Sequence, residues 1–87
     1  SYQSDLLKAK EILNRLMHAD ESIRSDEEMQ VFVDQLAADG VVLGMRAWVK
    51  TEEYWPAKWR MNEQIKLTFD AEGIELPYPQ LDVHIRQ

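Results

Sequence analysis

Few residues in this sequence have types and spacing suited to chemistry. Asp82 and His84 stand two apart in an alternating stretch, which places them on one face of a strand, where two side chains can share a metal ion. His18 is too far along the chain to be counted as a third ligand, and a solvated polar face is the simpler expectation for the pair. Glu52-Glu53 and Asp26-Glu27-Glu28 bring carboxylates together as acid–base sites do. Nothing beside them marks a nucleophile, so they read as solvated helix ends and turns. There is no cysteine, which removes disulfides, thiolate metal sites and cysteine nucleophiles together. Phosphate-loop and nucleophile-elbow signatures are absent. The Gly40/Gly44 spacing matches a helix-dimer motif but falls on a strand, where that meaning does not apply. No catalytic residue, metal or cofactor is expected.

The residues that stand out are suited to contact. Trp55 and Trp59 lie four apart on a predicted helix, nearly opposite its apolar stripe. Tryptophan in such a place suggests an interface. The alternative is local packing beneath Pro77-Tyr78-Pro79. Arg46 and Trp48 project from the sheet face that helices are not expected to cover, either toward a neighbour or as a partly exposed cross-strand pair. With Tyr78, these four are the interface candidates.

The elements that must position them follow from periodicity. A helix capped by Ser4 or Asp5 runs to about Ala19, with Leu6, Ala9, Leu13, Leu16 and Met17 as its stripe. The acidic segment from Asp20 to Glu28 reads as a loop. Gln30 to Leu36 reads as a strand of ambiguous inward face, because Val31 and Val33 compete with Phe32 and Leu36. After the Asp39-Gly40 turn signal comes a second strand, Val41 to Val49, antiparallel to the first. Its odd-numbered residues from Val41 to Val49 form an apolar face. A second helix spans about Tyr54 to Glu72. Pro56 is tolerated in its first turn and Glu52-Glu53 suit the positive end of its dipole. Tyr54, Ala57, Met61, Ile65 and Thr68 make its stripe, with Phe69 at the edge. Gly73 and Ile74 close it. Pro77-Tyr78-Pro79 is extended, and Gln80 to Arg86 is a last strand, Leu81, Val83 and Ile85 alternating with polar residues.

The resulting order is α-β-β-α-β. One strand added in front would make it β-α-β-β-α-β, the ferredoxin-like plan, an α+β fold with both helices on one face of a small sheet. The 87 residues make one domain with marginal surface burial. The net charge of −6 and pI near 4.8 argue against a nucleic-acid partner and against binding to an anionic membrane surface. No apolar run reaches the roughly 18 residues of a membrane span, and the opening Ser1-Tyr2-Gln3-Ser4-Asp5 does not read as a signal peptide.

Several strings resemble the C-terminal domain of small-conductance mechanosensitive ion channels. They are Arg46-Ala47-Trp48-Val49-Lys50-Thr51, Tyr54-Trp55, Glu63-Gln64-Ile65-Lys66, Phe69-Asp70-Ala71-Glu72-Gly73-Ile74 and Pro77-Tyr78-Pro79-Gln80-Leu81-Asp82-Val83-His84. The opening Tyr2-Gln3-Ser4-Asp5-Leu6 is similar to the start of the family's first helix. The resemblance is weak between Asp20 and Gly40.

The resemblance implies a cytoplasmic structural and oligomerisation domain within a larger membrane protein. Identical subunits, heptameric in the family, would form a hollow ring below a pore that releases ions and small solutes when membrane tension rises. Contact with the membrane would run only through transmembrane segments outside this sequence. The family also carries a strand before the first helix that this sequence lacks. In the ferredoxin-like order that strand is central, so either the hairpin and last strand close up in parallel or another copy fills the gap.

Rival readings are a ligand-sensing ferredoxin-like regulatory domain, an RNA-recognition module and an enzyme. The first requires a defined pocket with convergent polar groups. The second requires paired stacking aromatics and a basic surface, which the charge opposes. The third lacks a catalytic constellation.

Overall fold

The strict alternation of Val41, Leu43, Met45, Ala47 and Val49 decides where the core lies. In a computed structural model, which describes residues 2–37, 40–74 and 80–86, all five are buried. They belong to or directly follow the strand β2, Gly40–Trp48. The helices α1, Tyr2–Ala19, and α2, Tyr54–Ala71, cover this face. The strand β1, Gln30–Ala37, precedes β2, and β3, Gln80–Arg86, follows α2. The chain thus takes the order α-β-β-α-β, an α+β fold matching a ferredoxin-like plan without its first strand.

The sheet order is β1-β2-β3. β1 is antiparallel to β2, and β3 is parallel to it, from Val42 beside Gln80 to Trp48 beside Arg86. Of the two arrangements the sequence leaves open, closure of the hairpin and last strand in parallel is the one present. It satisfies the backbone groups on that side of β2 within the chain. It also sets Leu81, Val83 and Ile85 in register with the buried Leu43, Met45 and Ala47.

α1 begins at Tyr2, before Ser4, so Asp5 lies in its first turn and is not its cap. There a carboxylate still faces the positive end of the helix dipole. The helix buries Ala9, Ile12, Leu13 and Met17, with Leu6 and Leu16 partly buried. Ile12 widens the predicted stripe into a broader apolar face, as a helix lying on a sheet requires.

A 3₁₀ turn, Thr51–Glu53, leads into α2, so Glu52 and Glu53 lie just ahead of that helix. Pro56 falls in its first turn, where backbone N–H groups have no helical acceptor. Ala57, Met61, Ile65 and Phe69 are buried. At the far end Gly73 has φ 65°. The Ile74 N–H donates to the Phe69 carbonyl at 2.9 Å and the Gly73 N–H to the Asp70 carbonyl at 3.3 Å, a Schellman closure. Ile74 packs against the core, as its position after the glycine predicts.

β1 was ambiguous in sequence for a structural reason. Its register slips between Val33 and Gln35, leaving Asp34 as the extra residue of a bulge. Alternation therefore fails along the strand. Val31 packs on the core, while Val33 is 38% and Leu36 77% exposed. The segment between α1 and β1 is anchored as well: the Arg24 N–H donates to the Trp48 carbonyl at 2.8 Å, and Ile23 is buried.

Candidate functional site

Two surfaces hold the interface candidates, and both are set by the elements beneath them. On α2, burial of Met61 and Ile65 turns Trp55 and Trp59 outward, 55% and 64% exposed. Their ring centroids are 6.0 Å apart with planes tilted by 35°. Tyr54 meets Trp55 edge-on at 5.1 Å, and the Lys58 ammonium lies 5.5 Å from the Trp55 ring. The result is a continuous aromatic platform with a cation beside it. Such a platform offers large rigid apolar area at low entropic cost.

The second surface is the sheet face turned away from the helices. Phe32 lies across Gly44 so closely that a Cβ built on Gly44 would stand 2.5 Å from the ring. The Arg46 guanidinium sits 5.4 Å over the same ring, and its Nη1 donates to Gln30 Oε1 at 3.2 Å. Arg46 Nε is buried without a hydrogen-bond partner among the described residues. Trp48, two residues on, is partly exposed. The structure therefore brings Arg46 and Trp48 together on one face and Trp55 and Trp59 together on another. Tyr78, with the Pro77-Tyr78-Pro79 segment proposed to cover the tryptophans, lies outside the described residues.

A third cluster was not anticipated from the sequence. Asp20, just past α1, receives Arg60 Nη2 and Nε at 2.8 and 2.9 Å, a two-pronged ion pair. The Ser22 N–H and hydroxyl both donate to Asp20 Oδ1, at 2.9 and 2.7 Å, and Arg60 Nη2 also donates to the Ser22 hydroxyl. Burial alone would push the Asp20 carboxyl up. The hydrogen bonds from Arg60 and Ser22 outweigh it and hold the carboxyl below its ordinary value. The Asp20-x-Ser22 spacing, typical of a side chain closing a turn on its own backbone, was the available signal.

The remaining polar candidates lie apart. Glu52 is exposed, and Asp26 and Glu27 pair with Arg24 at the surface. The His18 ring contacts the Asn14 carbonyl on its own helix at 2.8 Å. Asp82 and His84 occupy β3 positions beside Gly44 and Arg46. Among the described residues no group of three or more His, Cys, Asp or Glu is arranged to hold a metal ion.

The family described as "Mechanosensitive ion channel MscS, C-terminal" matches residues 1–76, from the start of α1 past the Gly73 closure. The chain belongs to the MscS family. Over 87 residues it is 30% identical to a small-conductance mechanosensitive channel of Edwardsiella ictaluri, covering 100% of this chain and 30% of that protein. An uncharacterised MscS family protein of Archaeoglobus fulgidus is 33% identical over 79 residues, 91% of this chain and 28% of the relative. One from Synechocystis is 29% identical over 86 residues, 99% of this chain and 29% of the relative. The chain thus spans roughly a third or less of these MscS relatives. Its helix–strand–strand–helix order fits the MscS C-terminal domain. Among the described residues no helix is long and apolar enough to cross a membrane.

Proposed function

We propose that this chain is the C-terminal cytoplasmic domain of a mechanosensitive channel and that its work is assembly: it stands beside identical copies in a ring below a pore that passes ions and small solutes under membrane tension. The MscS family is a channel family, and this reading assigns no catalysis to the domain. Membrane insertion and tension sensing then belong to the larger part of the protein, which the relatives' lengths indicate.

The observation that carries the assembly role is the Trp55–Trp59 pair, its rings side by side and each more than half exposed. Two such rings held on a rigid helix supply a contact centre, and the Arg46–Phe32–Trp48 face supplies a second, separate contact in which a guanidinium lies over an aromatic ring. Two different patches suit a head-to-tail contact, the type that closes into a ring. Tyr78 is proposed as a further contact residue.

The test is native mass spectrometry of the full-length channel in detergent. Trp55→Ala with Trp59→Ala should shift the population toward smaller assemblies, and Arg46→Ala should do so independently. An unchanged assembly in both would overturn the proposal. A second reading, a ligand-sensing regulatory domain, is favoured by one observation, a cavity at the Asp20–Arg60 pair.

A further inference from the structure

Where the end of α1, the following loop and the first turns of α2 meet, the surface opens into a cavity of about 710 Å³. That is within the range of small-molecule sites. Leu16 and Met61 give it apolar lining, and Asp20 and Arg60 also line it. That pair is spent on itself, because both Asp20 oxygens accept from Arg60, so it fixes the shape of the site without offering its charge.

Other charges are unspent. Lys50 lines the cavity, and its ammonium makes no hydrogen bond or ion pair among the described residues, only its backbone carbonyl accepting from the Glu53 N–H. Glu53 lines it too, and its carboxylate makes no hydrogen bond among the described residues. Glu21 adds a second carboxylate. The Gln64 amide adds a neutral donor and acceptor.

A simple anion drawn to Lys50 would meet Glu53 and Glu21. A simple cation drawn to those carboxylates would meet Lys50. A molecule with both charges a few bonds apart and a short apolar body answers all three features. We propose that this cavity binds a small zwitterion of the α-amino-acid class with an apolar side chain. Its carboxylate goes to Lys50, its ammonium to Glu53 and its side chain to Leu16 and Met61. Bound there it joins the C-terminal end of α1 to the N-terminal end of α2, and so stabilises the packing of the two helices. This goes beyond the assembly role and does not rest on it.

The test is isothermal titration calorimetry of the 87-residue chain with L-leucine as probe, beside 4-methylpentanoate, which lacks the ammonium, and 3-methylbutylamine, which lacks the carboxylate. Leucine should bind saturably, and each analogue should bind about tenfold more weakly, the effect of losing one charge contact. Lys50→Met and Glu53→Gln should each weaken leucine by about tenfold, while Lys66→Met, on an exposed part of α2, leaves it unchanged. Thermal melts of each variant establish that it is folded. Absence of saturable binding, equal binding of either analogue, or binding indifferent to both Lys50 and Glu53 would overturn the proposal. None of these results bears on the subunit assembly read by mass spectrometry.

Discussion

Arg60 holds both carboxylate oxygens of Asp20, at 2.8 and 2.9 Å, across 40 residues of chain. This contact ties the end of α1 to α2 where the apolar packing between them gives way to the surface. The Asp20 side chain is only 8% exposed, so its charge depends on this partner. Replacing Arg60 by Ala leaves a carboxylate half-satisfied, and the expected loss is about 1–2 kcal/mol, moderated by the solvent that reaches Arg60. Urea unfolding of Arg60→Ala, Asp20→Asn and the double variant checks it. Additive losses would show that the two residues are not coupled.

The same carboxylate sets an acid limit. Its folded pKa lies below the ordinary value of 3.8, which is also the expected value in the unfolded chain. The stabilisation is therefore fully present above that value and is lost as pH falls through the lower, folded pKa. Stability in urea should change little between about pH 5 and 7 on this account and decline below about pH 4. Asp20→Asn should flatten part of that decline.

Gly44 and Phe32 form a contact that admits no side chain. A methyl group at Gly44 would meet the ring at 2.5 Å, so Gly44→Ala should displace Phe32 and cost about 1–3 kcal/mol. The Arg46 guanidinium over that ring should move with it. Phe32→Ala in the same chain removes the obstruction, and the double variant should be less destabilised than the sum of the singles. Strict additivity in thermal melts would count against the clash.

Gly73 closes α2 with a left-handed backbone that a Cβ makes costly, although nothing lies within 4 Å of where that atom would be. Gly73→Ala should therefore cost about 1 kcal/mol from backbone strain alone. Gly73→Asn should recover part of it, since asparagine tolerates this conformation better. Equal stability of all three proteins would contradict the assignment.

Trp55 and Trp59 should matter little to the isolated fold. Both are more than half exposed, so Trp55→Ala and Trp59→Ala should each change its stability by no more than about 1 kcal/mol. A much larger loss in denaturant would show that the rings pack within one chain, and would weaken the case for an interface there.

How much of this was legible in the sequence varied with the physics of each element. The core face of β2 was legible, because Val41, Leu43, Met45, Ala47 and Val49 are apolar at every second position and all five are buried. The outward placement of Trp55 and Trp59 follows from helical geometry with Met61 and Ile65 on the core face. β1 resisted reading because the bulge at Asp34 interrupts the period of two on which such a reading depends. Ile12, three residues after Ala9 and four before Leu16, lies at the edge of the predicted stripe, and the face that a sheet demands is wide enough to include it. The Asp20–Arg60 pair was invisible for a different reason: nothing local in a polar loop reports a partner 40 residues away.

The parallel pairing of β2 with β3 has a consequence for how the chain reaches its native state. The hairpin needs only local closure between Ala37 and Gly40, whereas Val42 must wait for Gln80 to return across a helix. Such long-range ladders are entropically late. The hairpin and the two helices can nucleate first, and the terminal strand then zips onto a preformed scaffold. Amide protons along that last ladder should consequently be the first of the sheet to exchange with deuterated solvent.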